Sequence, residues 1–156
     1  MEIRPIEQHD NRGVKTLVQT SLKNVDLAVP GTAYFDQSLD DLYDFYQNET
    51  HGQYWVLSDQ GQVVGGIGIG HFKEQTCELQ KLYIAAAYQG QGLSKQLMNQ
   101  ALAFAAKYYQ DCYLETHSKL IAAIHLYQKY GFQKLDQPLI GTAHSAMDTW
   151  FLKTLS

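Results

Sequence analysis

The stretch Tyr88-Gln89-Gly90-Gln91-Gly92-Leu93-Ser94 decides the reading of this chain. It follows a strand-like run, Thr76 to Ile84, and opens a long helical run whose apolar stripe is Leu93, Leu97, Met98, Ala101, Leu102 and Ala105. The first amides of a helix have no internal acceptors and point outward. The helix dipole adds partial positive charge at the same place. Glycines let a ligand approach the backbone with no Cβ in the way. A turn of this kind binds phosphate oxygens. It does so without net positive charge, which matters in a chain whose formal net charge is −4.

Working outward, Asp111 to Thr116 reads as the next strand. Thr76 to Thr116 is then a strand–helix–strand unit, expected to be parallel with a right-handed crossover. Lys119 to Tyr130 reads as a helix closed by Gly131. Phe132 to Leu135 and Met147 to Lys153 read as strands around a turn-rich loop, Asp136 to Ser145. Upstream lie a strand, Glu2 to Ile6, and a helix from about His9 to Asn24. A loop around Val29-Pro30-Gly31-Thr32 leads to a second helix near Ser38 to Gln47, with Leu39, Leu42, Tyr43 and Tyr46 at helical spacing.

Gln53 to Ser58 and Gln62 to Phe72 read as strands joined by Asp59-Gln60-Gly61. In the second of them Gly65, Gly66, Gly68 and Gly70 alternate with Ile67 and Ile69. Glycine weakens a strand, so its repeated use implies a bulge or the close approach of another group. The whole order predicts an α/β protein built around a mixed sheet, as one domain over 1–156.

Composition narrows the function. The 156 residues are 45% hydrophobic and 18% charged, the balance of an ordinary globular domain. No Lys/Arg cluster tracks a phosphate backbone, which argues against nucleic acid as a partner. Cys77 and Cys112 lie in apolar strands with no His or Cys at metal spacing; they read as reduced, buried thiols, and no metal is expected. The start, Met1-Glu2-Ile3-Arg4-Pro5, lacks the apolar segment of a signal peptide. No apolar run is long enough to span a bilayer. These features predict a soluble, cytoplasmic protein with no membrane partner.

The glycine turn has a second reading, a dinucleotide fingerprint, in which Glu115 would meet a ribose hydroxyl. That fingerprint needs a third glycine at position 95, where Lys95 stands.

At these residues the chain resembles the GNAT superfamily, the GCN5-related N-acetyltransferases. The family turn reads Gln/Arg-x-x-Gly-x-Gly/Ala; Gln89 and Gly92 fit it, and Ser94 replaces the last small residue. Ala123-Ile124-His125-Leu126-Tyr127-Gln128-Lys129-Tyr130-Gly131-Phe132 is similar to the family segment Ala-Ile-x-Leu-Tyr-x-Lys-x-Gly-Phe. Leu120 stands where the family often has Asn. Glu78-Leu79-Gln80-Lys81-Leu82-Tyr83-Ile84 looks like the central strand. The resemblance implies a mixed, mostly antiparallel sheet with a splayed central strand pair and about four flanking helices.

It also implies roles. Acetyl-coenzyme A would be the co-substrate, with its pyrophosphate on the backbone of Gln89, Gly90, Gln91, Gly92, Leu93 and Ser94. Its pantetheine would run along Leu82, Tyr83 and Ile84, entering between this strand and Tyr113 to Thr116. Tyr127 would be the general acid toward the leaving thiolate and would also touch the cofactor. Glu78 is the candidate base that takes a proton from the acceptor ammonium. Strand alternation is expected to put Glu78, Gln80, Leu82 and Ile84 on one face. Glu115 and His117 are further candidates beside it. Tyr34 and Phe35, with Tyr54 and Trp55, are candidates for an aromatic acceptor wall. The expected acceptor is a primary amine of a small molecule or peptide. A homodimer through the last strands is the expectation by analogy. The competing functions are a non-catalytic acyl-coenzyme A sensor and a nicotinamide-dependent oxidoreductase.

Overall fold

The computed structural model describes residues 1–139 and 144–155. Its strands are β1 (Glu2–Pro5), β2 (Gln53–Asp59), β3 (Gln62–Lys73), β4 (Thr76–Ile84), β5 (Asp111–Thr116), β6 (Gln133–Leu135) and β7 (Thr149–Thr154). Its helices are α1 (Asn11–Lys23), α2 (Leu42–Gln47), α3 (Leu93–Tyr108) and α4 (Ile121–Lys129). The strands form one sheet in the order β1-β2-β3-β4-β5-β7-β6. Every neighbouring pair is antiparallel except β4–β5, which is parallel as the strand–helix–strand reading requires.

Element edges depart from expectation where side chains intervene. The segment near Ser38 to Gln47 is two pieces, a 3-10 run over Gln37–Asp41 and then α2. The break falls at Asp41, whose carboxylate accepts the Asp44 amide and caps a fresh helix start. The first helix likewise opens with a 3-10 turn, Gln8–Asp10, before α1. Here the buried Asp10 takes a two-pronged contact from Arg4, at 2.7 and 3.0 Å. The strand expected from Met147 begins instead at Thr149, because Asp148 is engaged by Ser118. Residues 140–143 of the turn-rich loop lie outside the described residues.

Each face of the sheet carries its own core. On one side Trp55, Leu57, Ile67, Ile69, Cys77 and Leu79 pack against Leu97, Met98 and Ala101 of α3. On the other, Tyr46, Tyr54 and Val56 pack against Val14, Val18 and Leu22 of α1. The two clusters supply the hydrophobic driving force and fix which strand positions look each way.

Two irregularities in β4 position the site. Pairing with β5 runs only from Thr76↔Asp111 through Glu78↔Tyr113. Beyond Glu78 the two strands separate, while β4 stays bonded to β3 up to Ile84. The second irregularity is a bulge. Gly68 faces Gln80 and Gly66 faces Tyr83, so Lys81 and Leu82 together oppose Ile67 alone. Lys81 has φ +51°, the left-handed conformation. This corrects the simple alternation. Glu78 and Gln80 share a face with Tyr83, and the extra residue turns Leu82 and Ile84 to the opposite face, toward the α3 core.

Candidate active site

A cleft of about 530 Å³ opens where β4 leaves β5. Its floor is the end of β4, with Leu82, Tyr83 and Ile84. One wall is the turn into α3, with Gln89, Gly90, Gly92, Leu93 and Ser94. The facing wall is the start of α4, where Leu120, Ala122 and Ala123 line it, and it is closed by Leu22 of α1 and by Val25 in the turn after that helix. Eight of the residues singled out from sequence thus share one concavity. Gln91 is exposed between the two lining glycines and is not itself part of the wall.

The turn has the conformation its glycines suggested. Gly90 and Gly92 have φ +80° and +75°, and a Cβ at either would meet nothing within 4 Å. The space above the backbone is therefore open, and glycine is needed for conformation. These two residues also delay the helix, which starts at Leu93 and not near Gly90. Gly92 caps α3 with no side-chain hydrogen bond. Among the described residues the amides of Gly90 to Ser94 make no turn, loop or capping bond. The side chain of Gln89 is spent within the fold, donating to the Ile84 carbonyl at 3.0 Å and tying the turn to β4.

A second helix start faces the first. Leu120, at the N-cap of α4, offers no side-chain acceptor, so the first α4 amides also lack a capping partner. Sequence reasoning missed the cations here. Lys95 and Lys119 both line the cleft; isolated lysines next to a glycine turn and before a helix carry no cluster signal.

Glu78 sits at the last paired position before the strands part, on the α1/α2 side. Burial raises its pKa above the usual carboxylate value, and the nearby Glu115 raises it further. The Gln80 amide opposes this, with Nε2 donating to Glu78 Oε1 at 2.9 Å. Glu115 accepts from the Tyr113 hydroxyl at 2.8 Å. His117 takes the Lys119 amide on Nδ1 at 3.1 Å and lies 3.7 Å from Asp148. Neither Glu115 nor His117 lines the cleft.

Tyr127 is buried, with its ring against Phe132 and Phe151. Burial lifts its pKa well above the usual tyrosine value. It lies behind the lining residues of α4, and its hydroxyl makes no hydrogen bond among the described residues. Tyr83, from the floor of the cleft, has its own pKa raised by burial and then by the nearby Tyr127 phenol.

The aromatic wall needs correction. Trp55 is buried on the α3 side against Phe104, with ring centroids 5.1 Å apart, so it cannot face an acceptor. Alternation sends its neighbour Tyr54 the other way, where its hydroxyl donates to the Lys81 carbonyl at 2.8 Å. Tyr34 is half-buried and touches the exposed Phe35; it does not line the cleft.

A family model described as "Acetyltransferase (GNAT) family" matches residues 21–132. The chain is 35% identical to the uncharacterized N-acetyltransferase YjgM of Escherichia coli (strain K12), over 98% of this chain and 94% of that protein. Among solved structures, an acetyltransferase of GNAT family from Staphylococcus aureus Mu50 superposes with a TM-score of 0.84 at 18% identity, covering 99% of both chains. YncA from Salmonella typhimurium, solved with its cofactor acetyl-CoA, gives a TM-score of 0.79 at 20% identity, covering 100% of this chain and 94% of that one. The two structural matches speak to the fold alone.

Proposed function

The chain belongs to the acetyltransferase (GNAT) family, and from that premise we propose that it transfers an acetyl group from acetyl-coenzyme A to a primary amine by direct attack. What carries this reading is one coincidence. Unbonded amides over open glycines lie at one end of the cleft, and the half-buried Glu78 lies where β4 and β5 part.

The residues fit the co-substrate. The α3 turn from Gln89 to Ser94 would hold the pyrophosphate through its amides, with Lys95 and Lys119 adding charge. The apolar run of Leu82, Ile84, Leu120 and Ala123 suits a pantetheine arm. Backbone groups of Leu82, Tyr83 and Ile84 would pair with its amides, as an added strand does. Acetyl-coenzyme A, when bound, supplies an activated acetyl group as a thioester.

Glu78 takes a proton from the acceptor ammonium, directly or through water. A carboxylate whose pKa is raised by burial is a better base than one in water. A backbone amide near Tyr83 or Ile84 would face the carbonyl oxygen. Tyr127 donates to the departing sulfur. Its raised pKa keeps the hydroxyl protonated, and the same desolvation raises the pKa of a thiol beside it, so the two stay matched. Glu115, on β5 near Glu78, and His117, just past the end of β5, would meet the acceptor from outside the cleft.

Thiol release from acetyl-coenzyme A over a panel of amines tests the proposal. Turnover with at least one amine, lost in Glu78→Gln and reduced in Tyr127→Phe, is expected. Tight coenzyme A binding without turnover on any amine would make the protein a sensor instead.

A further inference from the structure

We propose that Tyr46 is a positioning residue for Glu78, acting through Gln80 across a track of glycines in β3. The inference rests on the reading of Glu78 as the base.

The track is read from what a side chain would meet. A Cβ on Gly68 would lie 2.5 Å from the Tyr46 hydroxyl and 2.8 Å from the Tyr54 ring. On Gly66 it would run into the Tyr54 hydroxyl, and on Gly70 it would lie 2.9 Å from Gln80 Oε1. The three glycines therefore clear one face of β3. Two tyrosines, from α2 and β2, lie across the bare backbone and reach β4 on its far side.

What they hold there differs. Tyr54 bonds the carbonyl of the bulge residue Lys81. The Tyr46 hydroxyl donates to Gln80 Oε1 at 2.5 Å. Burial pushes the Tyr46 pKa up, so the phenol stays protonated and always presents a donor. With its oxygen held, the Gln80 amide must turn Nε2 to the Glu78 carboxylate. Without that hydroxyl the amide is free to rotate and set its oxygen against the carboxylate, a repulsive contact. Tyr46 thus selects the one orientation of Gln80 that supports the charged form of Glu78.

The other groups around Glu78 are Lys81 on β4, Glu115 and Tyr113 on β5, Cys112 behind them, and His144 ahead of β7. Replacing Tyr46 removes none of these. Loss of the donor leaves burial and Glu115 less opposed, so the Glu78 carboxyl titrates at higher pH.

The test is a carboxyl-13C NMR titration of Glu78 in the full chain, read beside the pH profile of kcat/KM with one acceptor amine. Tyr46→Phe should move the Glu78 titration, and the acid limb of the profile with it, upward by about one pH unit. Tyr54→Phe, which removes the neighbouring hydroxyl, should leave the titration in place. A titration unmoved by Tyr46→Phe, or moved equally by Tyr54→Phe, overturns the proposal. If Tyr46→Phe does not fold, Gln80→Met carries the test: the same upward shift is expected, and an unchanged titration is the contrary result. Full activity in Glu78→Gln would sink the base assignment separately, since the NMR titration reads the positioning by itself.

Discussion

The Lys81 ammonium lies 2.8 Å from Asp36 Oδ2, joining residues 45 positions apart in sequence. The same carboxylate meets His144 Nε2 at 2.9 Å. Three segments, the 3-10 region before α2, the bulge of β4 and the connection ahead of β7, are thus tied at one largely buried point. The bulge is what turns Leu82 and Ile84, at the floor of the cleft, to the α3 side of β4, so this cluster holds the cleft floor in shape.

Removing one partner leaves a buried charge without its complement, which is costlier than losing a surface pair. Asp36→Ala should destabilise the protein by about 3 kcal/mol. Lys15→Ala, which breaks the exposed pair with Asp40, should cost no more than about 0.5 kcal/mol. Urea denaturation of both variants checks the contrast; equal losses would remove Asp36 from the framework.

The same carboxylates set the acid stability. For Asp36 and Asp10 burial alone would raise the pKa, but His144 and Lys81 in one case and Arg4 in the other bring it below the usual value of 3.8. A folded pKa below the unfolded one gives stability that is full above the unfolded pKa. It is lost as pH falls through the folded value. The urea midpoint should therefore fall steeply below about pH 4, and the double variant Asp10→Asn with Asp36→Asn should show a shallower fall from a lower plateau.

Glycines separate by what lies above them. Gly66→Ala drives a methyl into the Tyr54 hydroxyl and should cost about 2–3 kcal/mol through overpacking. Gly61, at φ +79° with nothing within 4 Å, should tolerate Ala for about 1 kcal/mol, the cost of the left-handed conformation. Thermal melts of the two variants give the order directly.

Much of this was legible in the sequence, for identifiable reasons. The glycine alternation in β3 announced close approach, and Tyr46 and Tyr54 are what approach. The Gly90–Gly92 turn announced a left-handed, open stretch of backbone because φ and Cβ constraints act locally. The bulge was not legible: nothing about a lysine in a strand signals φ +51° at Lys81, and the conformation is held by distant partners, Tyr54 and Asp36. Trp55 was misplaced for a related reason. Alternation separates it from Tyr54, but only packing against Phe104 shows which of the two turns toward α3.

In the proposed function Lys95 and Lys119, which line the cleft, would add charge to a grip made by backbone amides. Replacing both with Ala should weaken coenzyme A binding about tenfold at low salt and flatten its salt dependence. Isothermal titration at two ionic strengths measures it. An unchanged salt slope would mean that neither lysine faces the phosphates.

The most direct test of the central claim is a 15N-resolved NMR titration of the whole chain with coenzyme A. The account predicts large, saturable shifts at the amides of Gly90, Gln91, Gly92, Leu93 and Ser94, together with Leu82 to Ile84, and loss of these shifts in Gly92→Val. Saturable binding that leaves the turn amides unmoved would contradict it.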